Sequence, residues 1–292
     1  MPGGIDHLVL CVRDLERARA FYARLGFTLT PLARHPFGTG NSLVQLADRS
    51  FLELLTVLDP DAIPPMRPGF FSFGAFNRDF LARHEGCSML VLESHDAVAD
   101  ARTFRAAGLG DFAPFHFERP AMLPDGTMAK VAFSLAFAVD ARLPEAAFFS
   151  CRQHAPELFW KTEYQRHDNG AVGIAEVTLA APDPLALAGT LEAVTQVPAE
   201  TGAGGLLVRT PRGLVRALTA AAFERRYAGA QPPSLDRGPR FAGCRIAVED
   251  LPALRARLSA KGIGFLEAQG ALVIPPAEGF GLALGFVQRS KP

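Results

Sequence analysis

The feature that most narrows the fold of this 292-residue chain is a pattern used four times. GIDHLVLCVRDL, from Gly4, lies over GIAEVTLAAPDP, from Gly173, without a gap, with Leu10 over Leu179 and Asp14 over Asp183. Near the C-terminus, FAGCRIAVEDLPALRARLSAKGIGF repeats a strand, an acidic cap, an amphipathic helix, a glycine and a short strand. A further copy starts at Gly86 with GCSMLVLES, followed by a helix from Asp96 to Ala107 that Gly108 stops. Each copy is one supersecondary unit that cannot bury its apolar face alone, so the copies must pack on one another.

The first copy is the most legible. Ile5 to Val12 is a short apolar run, read as a buried strand. Asp14 caps a helix from about Leu15 to Leu25, whose Leu15, Ala18, Phe21, Tyr22 and Leu25 share one face, and Gly26 ends it in the left-handed conformation. Phe27 to Thr30 reads as a short strand, and a loop carrying His35-Pro36 and Gly38 runs to Gly40. Asn41 to Ala47 and Ser50 to Val57 make a hairpin across Asp48-Arg49. The matching long pairs are Lys130 to Val139 with Ala147 to Gln153, Gly205 to Arg209 with Gly213 to Leu218, and Ala271 to Ile274 with Gly281 to Val287. The expected fold is therefore α+β: four βαβββ modules paired into two domains. Their expected limits are 1–155 and 171–292, with a bridge at 156–170. Consecutive modules pair by default; the first pairing with the fourth is the alternative.

Two side chains in the first copy stand out. His7 is the one group in its strand that titrates near neutral pH, and Glu53 sits among apolar neighbours in FLELL. A carboxylate there must be paired, bound to metal or turned to water, because burying it alone costs several kcal/mol, on the order of a lost ion pair. Each alone has a bland reading, a satisfied core histidine and a solvent-facing glutamate. Only the first copy carries both: Glu176, Gly243 and Ser88 take the place of His7, and Arg216 takes that of Glu53.

All seven histidines lie at or before His167, so titratable chemistry belongs to the N-terminal half. The run from Phe148 to Gly170 gathers Cys151, Gln153, His154, the single Trp160, Glu163, Tyr164 and His167. It reads either as an interdomain linker glued by aromatics or as a wall of the cup, with Gln153 and His154 as ligands or base and Trp160 as an apolar surface. Net charge is zero, which removes the electrostatic footprint of a nucleic-acid or anionic-membrane partner. The N-terminus lacks the basic and apolar regions of a secretory signal and no apolar run is long enough to span a bilayer, so a cytoplasmic location is expected. Four scattered cysteines without a C-x-x-C pair fit reduced, buried thiols. A homodimer is left open.

Four βαβββ modules, the DHLVL opening strand and a glutamate in FLELL resemble the vicinal oxygen chelate superfamily of glyoxalase I, extradiol dioxygenases and bleomycin resistance proteins. The run His35-Pro36, Gly38-Thr39, Asn41 and Phe51 to Leu54 resembles, more narrowly, its glyoxalase-like domain proteins. The resemblance implies a cup formed by paired modules, with His7 and Glu53 at two metal-ligand positions and Asn41 beside the substrate. The other two ligand places fall on Ser88 and on Ser150 or Cys151. With two strong ligands in place the expected cofactor is none, or a weakly held Zn, Ni, Mn or Fe. The implied activity is proton-transfer chemistry of lyase or isomerase type on a small, partly apolar oxygenated molecule. The alternatives are a binding protein that sequesters such a molecule and an extradiol-type dioxygenase.

Overall fold

The computed structural model describes residues 3–122 and 128–290. The first half runs β1 (Ile5–Cys11), α1 (Leu15–Arg24), β2 (Ala33–Arg34), β3 (Thr39–Gln45), β4 (Phe51–Val57), α2 (Phe73–Arg83), β5 (Gly86–Glu93), α3 (Ala97–Ala106), β6 (Phe115–Met122), β7 (Met128–Ala138) and β8 (Ala147–Gln153). A short α4 (Pro156–Phe159) leads to the second half. That half comprises β9 (Ala171–Ala180), α5 (Ala188–Thr195), β10 (Glu200–Gly202), β11 (Gly205–Arg209), β12 (Leu214–Leu218), α6 (Ala220–Arg226), β13 (Arg240–Val248), α7 (Leu251–Ala260), β14 (Leu266–Ala268), β15 (Ala271–Ile274) and β16 (Ala283–Gln288). These are four βαβββ modules, with α2 and α6 as connectors inside each pair.

The described strands form two eight-stranded sheets, ordered β2-β3-β4-β1-β5-β8-β7-β6 and β10-β11-β12-β9-β13-β16-β15-β14. Consecutive modules thus share a sheet, joined by antiparallel β1–β5 and β9–β13 pairs, while β1 and β4 run parallel. Acidic caps recur as the repeat implies: Asp14, Asp96 and Asp250 each accept a backbone N–H from the first turn of their helix. The expected strand at Phe27 to Thr30 is displaced to Ala33–Arg34. Phe27 is drawn into the core, with its ring 6.0 Å from that of Phe286, and only Thr30 N–H reaches Leu43 in the sheet, at 2.9 Å.

Alternation along the strands gives each sheet two apolar faces. In the first sheet Leu8, Leu10, Leu52, Leu54, Leu90 and Leu92 join a core that also contains Val177, Leu179, Cys244 and Ile246 of the second. The opposite face, with Val9, Cys11, Leu43, Phe51, Val91, Phe133 and Phe149, curves under α2 into a cup. All four cysteines are free and buried. No helix among the described residues is long and apolar enough to cross a membrane.

Candidate functional site

The first cup encloses a cavity of about 60 Å³. Seven phenylalanines wall it: Phe37, Phe51, Phe73, Phe117, Phe133, Phe149 and Phe159. Its polar lining comprises His7, His35, Asn41, Glu53, Arg119, Gln153 and Cys151. His7 and Glu53 are each 5% exposed, and Nε2 of one lies 3.7 Å from Oε2 of the other. In the parallel β1–β4 ladder Glu53 is opposite Val9, two residues from His7, so both point to the same face.

Asp6, adjacent in sequence to His7, should face away. The β1–β5 register slips there, from Ile5 opposite Leu92 to His7 opposite Val91, and a bulge of this kind re-aims a side chain. Asp6 Oδ1 lies 2.5 Å from His7 Nδ1, and Asp6 Oδ2 accepts a hydrogen bond from Gln153 Nε2 at 3.1 Å. In the neutral imidazole that bond puts the proton on Nδ1, and the Nε2 lone pair faces Glu53 and the cavity. The imidazole is further held by stacking on Phe51 at 4.1 Å and by the edge of Phe149 at 5.5 Å.

Glu53 Oε1 accepts from Asn41 Nδ2 at 2.6 Å. Burial pushes the Glu53 carboxyl above its usual range, against the pull of His7 and of the Asn41 bond. Asn41 Nδ2 also lies 3.2 Å from His35 Nε2, and His35 Nδ1 is 2.8 Å from Thr39 Oγ1. Burial, with the Arg119 guanidinium and the neighbouring His7 ring, pushes His35 down to about 3. It is therefore a neutral acceptor that fixes the Asn41 amide.

That depression has a stability consequence. The folded state prefers neutral His35, so its contribution is complete above the ordinary value of 6.5 and is lost as pH falls towards about 3. Across that window stability should decline by up to about 1.4 kcal/mol per pH unit from this group. His35→Gln, which keeps a neutral polar side chain, should flatten that part of the acid-unfolding curve in circular dichroism; an unchanged slope would contradict it.

Of the expected site residues, His7, Glu53, Asn41 and Gln153 meet at the cavity. Trp160 stands one layer behind, its ring 5.8 Å from Phe51 and 4.9 Å from Phe159, and it is Phe159 that lines the wall. His154 is a correction: it follows Gln153 by one residue and so turns to the exposed side, where Nε2 is 2.8 Å from Ser134 Oγ and the ring lies 5.5 Å from His116. Asp6, His35 and Arg119 are the residues that sequence reasoning did not place in the site. Arg119, on β6, has its guanidinium 5.9 Å from the Phe133 ring. It stands between the inner cavity and an outer vestibule of about 660 Å³ that also reaches Asn41, Leu43 and Phe159. The vestibule carries Arg34, Arg119 and Lys161 against Glu163.

The strand registers test whether the residues fit a metal. His7 faces Val91 and Val9 faces Met89, so the place of His7 in β1 is taken by Met89 in β5, not by Ser88. Val91 pairs with Phe149 as Val9 pairs with Glu53, so Phe149, not Ser150 or Cys151, takes the second glutamate's place. Ser88 is spent on Asn77, at 2.6 Å, and Ser150 on Asp100, at 2.7 Å. A thioether and a phenyl ring replace two hard donors. Among the described residues no three His, Cys, Asp or Glu side chains are gathered to hold an ion. The donor set does not fit the four-ligand metal that the resemblance implies.

In the second sheet the four matching places are Glu176, Arg216, Gly243 and Gly285. Glu176 is clamped by Arg216 Nε at 2.7 Å and Arg226 Nε at 2.5 Å. The buried Tyr227 ring, at the end of α6, fills the space over Gly243, where an added Cβ would lie 2.4 Å from Cζ. This cup is closed by its own connector helix.

The comparisons with known proteins agree with this fold. The family model described as "Glyoxalase-like domain" matches residues 5–195. None of the curated proteins matches the chain. Among solved structures, a hypothetical protein from Staphylococcus aureus superposes with a TM-score of 0.67 at 13% identity, over 98% of this chain and 99% of that one. A mutant of 4-hydroxymandelate synthase from Streptomyces coelicolor gives 0.62 at 14% identity, over 100% and 94%. A Mn(II)-bound glyoxalase from Novosphingobium aromaticivorans gives 0.54 at 12%, over 98% and 81%. At such identities these structures speak for the fold alone. With the family model covering well over half of its length, the chain belongs to the glyoxalase-like domain family of the vicinal oxygen chelate superfamily.

Proposed function

We propose that the first cup is an acid–base site of lyase or isomerase type, transferring a proton on a small, apolar molecule that carries a carbonyl and a carboxylate. The observation that carries this reading is the line Asp6, His7, Glu53: a carboxylate on Nδ1, a free Nε2 lone pair, and a second carboxyl 3.7 Å away with a raised pKa. Such a pair can take a proton from carbon at one position and return it at another. His7 is the base, held in tautomer and orientation by Asp6. Glu53, protonated more readily than an exposed glutamate, is the acid or shuttle. Arg119 pairs with the carboxylate, and the phenylalanines exclude water.

Size supports the same reading. About 60 Å³ holds only a few atoms, a handful of waters' worth. The reacting end fits inside and the rest of the molecule occupies the vestibule, whose cations outnumber its acid three to one. The class that combines an acidified C–H, an anionic group and an apolar body is the 2-oxo acids with hydrocarbon side chains. In this reading residues 1–155 carry the site, 156–170 bridge, and 171–292 support it. The chain's neutral balance favours a small molecule over nucleic acid or a membrane surface as partner. A weakly held divalent ion on His7 and Glu53 is checked by elemental analysis: one equivalent lost on His7→Gln would replace the metal-independent scheme.

The direct test is proton exchange of 4-methyl-2-oxopentanoate in deuterated water, followed by NMR. Exchange at the carbon beside the carbonyl should exceed the buffer rate and vanish in His7→Gln. Arg119→Gln should raise KM by about ten- to a hundredfold with little change in kcat, the signature of lost uniform binding. The second reading, sequestration without turnover, is favoured by the seven-phenylalanine wall. Saturable binding without exchange would establish it.

A further inference from the structure

A second cavity, about 510 Å³ in volume, opens between the two halves of the molecule and belongs to neither cup. Its walls come from α1, the C-terminal end of α2, the segment before β13 and the segment before β16. Arg13, Arg17, Arg83 and Arg240 face it, with His84, against the carboxylates Glu85 and Glu278. Four guanidiniums less two carboxylates leave a charge of +2 on its lining. Glu85 is already engaged, its Oε1 accepting the backbone N–H of Arg13 at 2.7 Å.

Behind the cavity lies one buried carboxylate that is over-subscribed. Glu145 Oε1 receives Arg83 Nε at 2.8 Å and Arg237 Nε at 3.0 Å. Its Oε2 has Arg240 Nε at 3.4 Å and His84 Nε2 at 3.5 Å, and neither nitrogen reaches hydrogen-bond geometry with any described atom. Arg240 is only 7% exposed. A guanidinium buried to that degree and sharing a single carboxylate with two others is electrostatically incomplete, and truncating its surroundings does not remove the cost; a counter-charge does. The rings of Phe280 and Phe80 lie 5.6 Å from the Arg17 guanidinium and 5.7 Å from that of Arg240 and support both.

We propose that this interdomain cleft binds a small dianion of the phosphate type, a phosphate-bearing small molecule whose anionic end sits among Arg13, Arg17, Arg83 and Arg240. Forked guanidinium donors match the tetrahedral oxygens of a phosphate, and a +2 lining matches its charge. The volume exceeds that of phosphate alone and leaves room for an organic remainder. Because the walls come from both halves, the ligand ties them together and stabilises the folded chain by mass action. The environment of His84 supports the same placement. Burial and the charges of Arg240, Arg83 and Arg13 push it down to about 4 against the pull of Glu145, so an added anion must move it back up.

The test uses the full chain and inorganic phosphate at about pH 7.5, where phosphate is mostly dianionic, with potassium chloride at matched ionic strength as control. Phosphate should shift the His84 imidazole resonances saturably, raise the pKa of His84 and raise the thermal midpoint; chloride should do none of these. Arg17→Gln, which leaves the Glu145 cluster intact and removes an exposed side chain, should weaken phosphate binding by about tenfold, roughly 1.4 kcal/mol. Shifts that follow ionic strength alike in both salts, or binding unchanged in Arg17→Gln, would overturn the site. Succinate binding more tightly than phosphate would overturn the phosphate class.

Discussion

Glu53→Gln should lower turnover by about 10²- to 10⁴-fold, the usual worth of a positioned acid–base group, while tightening the binding of an anionic substrate. Gln has the same shape and its carbonyl oxygen can still accept the 2.6 Å bond from Asn41, so the cup keeps its form. What disappears is a proton carrier 3.7 Å from His7 Nε2 and, at any pH where Glu53 is ionised, a negative charge facing the incoming carboxylate. Stability should hold or rise. Burial raises the folded-state pKa of Glu53, so ionisation costs the folded protein stability as pH climbs through that value, and the amide has nothing to ionise. Single-turnover exchange, calorimetric binding and a melt at two pH values measure the three effects separately. Undiminished exchange in Glu53→Gln would remove Glu53 from the mechanism; weaker substrate binding would contradict its placement beside the anion.

The second large effect belongs to the closed cup. Gly243→Ala should cost about 3 kcal/mol, at the upper end for overpacking a buried site. The new methyl would stand 2.4 Å from Tyr227 Cζ and 2.8 Å from its hydroxyl, and that ring is fully buried between Gly243, Thr178 and Phe223 with no room to retreat. The melting point should fall by roughly 2–4 °C for each kcal/mol. Tyr227→Leu costs stability of its own by leaving a void, yet it vacates the space that the methyl needs. The double variant should therefore be more stable than the two single losses added together, by about 1 kcal/mol or more. Additive losses would show that the glycine is not there for the tyrosine.

The repeat made the modules, the sheet pairing and the shared face of His7 and Glu53 legible, because strand alternation depends only on counting residues. Asn41 came from the family resemblance and Gln153 from the run of functional side chains between Phe148 and Gly170, and both line the cavity. What counting could not see was any place where the ladder slips. Asp6 reaches His7 only through a bulge in β1, and the bulge has no signature in IDHLVL. The slip near Val9 and Leu10 likewise moved the counterpart of His7 in β5 from Ser88 to Met89. His154 failed for the opposite reason: the strand stays regular at its end, so the residue after Gln153 faces outward. Arg119 was hidden by Pro120, since a proline-bearing stretch reads as turn or edge, and β6 is indeed an edge strand, paired only with β7. His35 read as loop punctuation because nothing local announces that its loop folds back over Glu53.

The core shared by the two sheets bears on how the chain can be cut. Leu8, Leu10 and Leu54 on one side and Val177, Leu179 and Cys244 on the other belong to one apolar body, and Phe148 and Phe241 meet ring to ring at 5.5 Å across it. Backbone bonds from Ile5 N–H to Arg212 and from Asp48 N–H to Val172, at 2.9 and 3.0 Å, pin its margins. A fragment ending at the bridge would present that leucine-lined back to water, a contiguous surface of the kind that drives self-association. The half without histidines is thus the solvent shield of the half that has them, and its loss would be felt as insolubility before it was felt as chemistry.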